Sequence, residues 1–143
     1  MARDIAQRLR AAHSLLRTAT EQALAAAGMS QAQLAVLEVL ARSPGATSAT
    51  LARECGITPQ SMMELVHRLE GQGLLARGEA RGRAVALHLT GAGEEAARRG
   101  PEIVAAVEES LTARLRPGDL AELRALLEQV ELNLARRAAP GRA

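Results

Sequence analysis

Glycine and proline divide this chain into segments of two hydrophobic periods, and that punctuation limits its folds more than any other feature. Residues 4–27 contain neither. Within them Ile5, Leu9, Ala12, Leu16, Ala19, Ala23 and Ala27 recur at three- and four-residue steps, the spacing of one helix face. Gly28 supplies the stop. Ser30 and Gln33 form a capping box that opens a second helix. Its apolar stripe is Leu34, Leu37, Leu40 and Ala41, and Ser43-Pro44-Gly45 ends it. Thr47 or Ser48 caps a short third helix over residues 49–55, closed by Gly56. Thr58 caps a fourth, with Pro59 in the first turn, where a missing N–H costs nothing. That helix buries Met62, Leu65, Val66 and Leu69 and ends near Gly71 and Gly73.

The period then changes from helical to alternating. Leu74-Leu75-Ala76-Arg77 reads as one strand and residues 84–90 as another, with Val85, Leu87 and Leu89 alternating with Ala84, Ala86 and His88. Residues 78–83 are expected to join them as a hairpin loop. Thr90 caps a fifth helix running to about residue 115, with Ile103, Val104, Val107, Leu111 and Leu115 on one side. Pro101 is expected to kink or split it, because proline lacks the N–H donor. Pro117 starts the last helix, whose Leu120, Leu123, Leu127, Val130 and Leu134 form a heptad seam. Residues 139–143 are expected to be a flexible tail.

The result is a mainly α fold with one small β-hairpin, in a chain the size of a single domain, 143 residues. At 48% hydrophobic and 24% charged it can bury a core. Apolar seams on the first, fifth and sixth helices are more than a lone protomer covers economically, so a partner chain is expected. Phe, Trp and Tyr are all absent. That excludes aromatic stacking platforms for single strands or RNA, aromatic cages and an aromatic belt at a membrane. Cys55 is the only cysteine, so neither an intrachain disulfide nor a cysteine-pair zinc site is expected. The three histidines and Cys55 are scattered, which argues against a metal site, and no cofactor is implied. No apolar run reaches the length of a membrane span, and Met1-Ala-Arg-Asp-Ile carries no apolar signal core, so a cytoplasmic protein with no membrane partner is expected.

Every one of the 18 basic residues is arginine, and the net charge is only +2. The pI of about 9.8 follows from the missing lysines and tyrosines, since almost nothing titrates between neutral pH and the arginine range. The placement of the arginines is therefore more informative than their number. Residues 77–83 hold three arginines and one glutamate, whereas residues 94–143 hold eight arginines against nine acidic residues. The positive bias is local to the hairpin.

Helix, tight turn, helix and then a two-stranded hairpin is the order of a winged helix-turn-helix, here over about residues 30–90. With Met62, Leu65, Val66 and Leu69 turned inward, the fourth helix shows Gln60, Ser61, Met63, Glu64 and His67. Gln60 can pair with adenine, Ser61 can reach bases or phosphate, and Glu64 can accept from cytosine or pair with Arg68. Met63 can contact a thymine methyl group or fill a gap at the domain edge. The N–H groups around Thr58, Pro59 and Ser61 offer a phosphate site. Arg81 and Arg83 flank Gly82 at a tip able to enter a minor groove. Ser48 and Arg77 complete the candidate DNA-contacting set.

The stretch Leu51-Ala-Arg-Glu-Cys-Gly-Ile-Thr-Pro-Gln-Ser-Met-Met-Glu-Leu-Val-His-Arg-Leu-Glu-Gly-Gln-Gly-Leu-Leu-Ala-Arg77 resembles the helix-turn-helix of MarR-type transcriptional regulators. Leu89-Thr90-Gly-Ala-Gly93 is similar to that family's junction after the wing. The resemblance spans nearly the whole chain and implies one domain over residues 1–143. It implies a homodimer joined by residues 1–28 and 91–138. It also implies binding to a roughly palindromic operator, often as a repressor released by a small ligand or by oxidation. One departure concerns the wing, which reads Ala80-Arg81-Gly82-Arg83 without the family's usual aspartate, leaving Glu79 as an alternative brace.

Family members that sense peroxide carry their cysteine in the first helix, whereas Cys55 ends the third, where a buried structural thiol is the expected role. A redox-sensing regulator using Cys55 is thus the lesser alternative. His13 lies beside the apolar stripe of the first helix, near the family's ligand cleft, and is a candidate ligand contact or a partly buried helix histidine. A winged-helix module that mediates protein contacts without reading DNA is the other alternative. An enzyme is not expected, because the sequence holds no nucleophile elbow, phosphate loop or spaced acid–base pair.

Overall fold

The computed structural model describes residues 1–138, and of Arg81 only the backbone. The tail expected over 139–143 lies outside the described residues. Six helices and one antiparallel hairpin follow in the order α1 (Ala2–Ala26), α2 (Gln31–Arg42), α3 (Ser48–Cys55), α4 (Pro59–Gly71), β1 (Leu75–Arg81), β2 (Ala84–Leu89), α5 (Gly91–Thr112) and α6 (Pro117–Ala138). Contacts divide the chain into a first unit, Met1–Glu108, and a second, Glu109–Ala143.

The core of the first unit is entirely aliphatic. Leu24, Leu37, Leu40, Leu51, Met62, Leu69, Leu87 and Val36 are its largest fully buried side chains. The helix boundaries follow from caps. Ser30 and Gln33 make the expected reciprocal capping box, with Ser30 Oγ accepting from Gln33 N–H at 3.1 Å and Gln33 Oε1 accepting from Ser30 N–H at 2.9 Å. Gln33 is buried, and its amide also donates to Gln72 Oε1 at 2.9 Å, which ties the start of α2 to the end of α4. Thr47, not Ser48, caps α3.

One expectation about helix faces needs correction. On α2, Val36 and Val39 are buried as well as Leu34, Leu37 and Leu40, while Ala41 is exposed. This helix is packed on more than one side, so a single stripe understates it. On α1 the buried residues are Thr20 and Leu24, whereas Ile5 and Leu9 are exposed. Leu16, Ala23 and Ala27 of the expected stripe are half-buried, and its N-terminal end is uncovered among the described residues, in keeping with the seam expected on this helix. Likewise α6 buries no residue. Pro101 does not split α5, which is continuous from Gly91 but stops at Thr112, short of Leu115.

The hairpin departs most from expectation. Residues 78–81 are strand rather than loop, and only Gly82 and Arg83 remain in the turn. Gly82 adopts φ +66 and Arg83 a negative φ, the signs of a type II′ hairpin turn, whose first central position suits glycine. The period was hidden by a β-bulge. Register runs Arg77↔Leu87 and resumes at Ala80↔Val85, so Gly78 and Glu79 together oppose Ala86. Gly78 sits against His88, whose ring would lie 2.8 Å from an added Cβ. On its other edge Leu87 exchanges backbone hydrogen bonds with the α2–α3 loop, to Ala46 O at 3.1 Å and from Gly45 N at 2.9 Å. The wing is thereby stitched to the helix-turn-helix.

Candidate nucleic-acid interface

The N-terminus of α4 is built by Thr58. Its Oγ1 accepts from Ser61 N–H at 3.2 Å, and its hydroxyl donates to Ser61 Oγ at 2.9 Å. Pro59 has no N–H, and Met62 N–H is bonded to Thr58 O. The phosphate site expected here is therefore narrower than the sequence suggested. Ser61 N–H is already taken by the cap, which leaves the N–H of Gln60 as the first-turn donor.

Met62, Leu65, Val66 and Leu69 are buried, as their spacing requires. Gln60, Ser61, Met63, Glu64 and His67 are exposed, and Met63 is 66% exposed despite being apolar. Glu64 forms no ion pair with Arg68 among the described residues. The exposed face splits in two. Pro59, Met63 and His67 line a cleft of about 630 Å³ whose opposite wall is the wing, through Arg77, Arg83, Ala84 and Val85. Thr47, Ser48 and Ala49 also line it. Gln60, Ser61 and Glu64 lie outside this cleft and face solvent.

Two of the three candidate arginines can be placed. Arg83 is exposed in the turn and enters no ion pair among the described residues. The side chain of Arg81 lies outside the described residues. Arg77 is paired with Glu70. Its Nε donates to Glu70 Oε1 at 2.6 Å and its Nη2 to Glu70 Oε2 at 3.1 Å. These bonds and the Glu70 charge hold the guanidinium still further above its ordinary pKa. Sequence reasoning missed this pair because its members lie seven residues apart, on a helix and a strand, where no periodicity links them.

His13 is exposed on α1 and is not among the residues that line the cleft between α4 and the wing. Cys55 is half-buried. Burial, then the charge of Glu54, pushes its thiol up, and Arg42 opposes them. Among the described residues no three His, Cys, Asp or Glu side chains are grouped to hold a metal. No single described helix is long and apolar enough to cross a membrane.

Capped helix pair, exposed polar reading face and bulged wing together define a winged helix-turn-helix protein. The family described as the MarR family matches residues 27–84. The HTH-type transcriptional repressor Rv2887 of Mycobacterium tuberculosis is 33% identical over 119 residues, 82% of this chain and 86% of that protein. Its crystal structure superposes with a TM-score of 0.75 at 30% identity, covering 89% of this chain and 93% of that one. Structures of the same relative in complex with DNA and with salicylic acid give TM-scores of 0.69 and 0.62, at 30% and 32% identity, over 87% and 85% of this chain and 95% and 92% of theirs. MepR of Staphylococcus aureus shares the fold at a TM-score of 0.82 and 20% identity, covering 90% of this chain and 97% of that one. The chain belongs to the MarR family.

Proposed function

We propose that the protein is a homodimeric, sequence-specific repressor that binds duplex DNA through α4 and the wing and is released by a small acidic ligand. The observation that carries this reading is the exposed row Gln60, Ser61, Glu64 and His67 on α4, with Arg83 at the tip of the wing beside it. A helix of this kind fits the major groove, where short polar side chains reach base edges. Arg83 supplies charge at the flanking minor groove or phosphates. Because the chain has no lysine, its other phosphate contacts come from arginine, hydroxyl, amide and backbone donors.

The relative solved with DNA has also been solved with salicylic acid and with p-aminosalicylic acid. The cleft between α4 and the wing suits a ligand of that class, with an apolar lining of Met63, Val66, Val85 and Leu87 and polar handles at His67 and Arg83. Those handles are also candidate DNA contacts, so ligand and operator compete for the same groups. The uncovered apolar faces of α1 and α6 supply the dimer interface, and two copies present two reading helices to a palindrome. The protein acts in the cytoplasm.

The test begins with duplexes selected by the protein from a randomised pool. Affinity for the selected duplex falls steeply with salt, and Arg83→Ala reduces the salt slope by about one unit per protomer. Sodium salicylate weakens the complex. An affinity indifferent to salt and to Arg83→Ala overturns the DNA reading in favour of a protein-interaction module.

A further inference from the structure

Glu70 occupies the last turn of α4, with its side chain only 21% exposed, and Arg77 lies on β1 immediately before the bulge. Both carboxylate oxygens engage the guanidinium, through Nε and Nη2. A two-point fork of this kind fixes orientation as well as distance, unlike the single contacts of most surface ion pairs. It also pairs the charge of Arg77, which then contributes little to the field that attracts phosphates. The position matters as much as the bond. Proximal to the bulge, β1 pairs with residues 87–89; distal to it, Ala80 and Arg81 pair with Val85 and Ala84. The pair is thus placed at the root of the hairpin that carries Arg83, and it joins that root to the reading helix.

We propose that Glu70 and Arg77 are positioning residues for DNA binding: their ion pair sets the wing against α4, and Arg77 takes no phosphate itself. The proposal rests on the DNA-binding reading above. It makes a prediction of sign. If Arg77 contacted phosphate, Glu70 would compete with the DNA, and removing its charge would tighten binding. If the pair positions the wing, removing either member weakens binding in the same way.

The probe is a duplex selected by the wild-type protein from a randomised pool. Glu70→Gln and Arg77→Met are each expected to weaken binding by roughly three- to tenfold. Both should lower the salt slope as Arg83→Ala does, and both should lose protection at the minor-groove flanks while keeping major-groove protection at the centre of the site. The exchanged pair, Glu70→Arg with Arg77→Glu, recovers part of the affinity. Tighter binding by Glu70→Gln, unchanged flank protection, or central and flank protection lost together would each overturn the proposal. The last of these would mean that the pair merely stabilises the domain, and unfolding midpoints read in parallel would show it. A wild-type protein that selects no duplex defeats the DNA reading itself.

Discussion

Gly93 lies so close to the carbonyl oxygen of Leu74 that no Cβ fits between them. Three hydrogen bonds hold this junction. Thr90 N–H donates to Leu74 O at 3.2 Å, Thr90 Oγ1 donates to Gly73 O at 2.6 Å, and Thr90 Oγ1 accepts from Gly93 N–H at 3.1 Å. One threonine therefore caps α5 and fastens it to the turn between the reading helix and the wing. Gly93→Ala is expected to destabilise the protein by about 1–3 kcal/mol, because the obstructing atom is backbone and cannot rotate away. At Gly100 an added Cβ would meet the side chain of Leu34, which can move, so Gly100→Ala should cost less. Denaturant midpoints of the two variants check the order, and equal midpoints would contradict it.

Much of this architecture was legible because caps and periods are local. Thr58, Pro59 and the Met62, Leu65, Val66, Leu69 spacing defined α4 without reference to the rest of the chain. The bulge was not legible, since Gly78 and Glu79 read as loop residues until the His88 ring is seen against Gly78. The Glu70–Arg77 pair was hidden for a related reason: it joins different elements, and only the turn at Gly73 brings them together. Charge counting groups Arg77 with the arginines of the wing, whereas in the structure its guanidinium is paired with Glu70 of α4.

The cap at Thr58 has separable structural and binding roles. Thr58→Ala removes the acceptor of Ser61 N–H and should cost about 1 kcal/mol of stability. The same change frees that N–H for a phosphate, so DNA affinity should fall less than the stability loss implies. Chemical denaturation together with binding to the selected duplex measures both. Affinity lost out of proportion to stability would show that the Thr58 hydroxyl itself meets the DNA.

Cys55 bears on the redox alternative. Its thiol is held above the ordinary range chiefly by burial, so the thiolate is scarce at neutral pH. Iodoacetamide should modify it more slowly than free cysteine, and brief peroxide exposure should leave DNA binding unchanged. The sign for stability follows from linkage. A folded pKa above the unfolded one stabilises the native state below the unfolded pKa, about 8.5, and that contribution is lost as pH rises through the folded value. Cys55→Ser should therefore flatten the alkaline side of a plot of melting temperature against pH. Rapid, stoichiometric sulfenate formation with loss of DNA binding would restore the redox reading.

The uncovered face of α6 makes the assembly testable by one substitution. Leu123 is 38% exposed, Leu127 37% and Leu134 62%, on a helix that buries none of its residues. Heptad spacing places these leucines on one seam, whereas Leu132, 52% exposed, falls on the far side of the helix. In a two-fold interface every substitution occurs twice, so losing one leucine removes about 1.5–3 kcal/mol from each side, and an introduced carboxylate adds its own desolvation cost. Leu127→Asp is expected to yield monomers at micromolar concentration and to abolish tight binding to a palindromic duplex. Leu132→Asp should leave both intact. Sedimentation equilibrium distinguishes them, and a Leu127→Asp protein that remains dimeric would place the interface elsewhere on the chain.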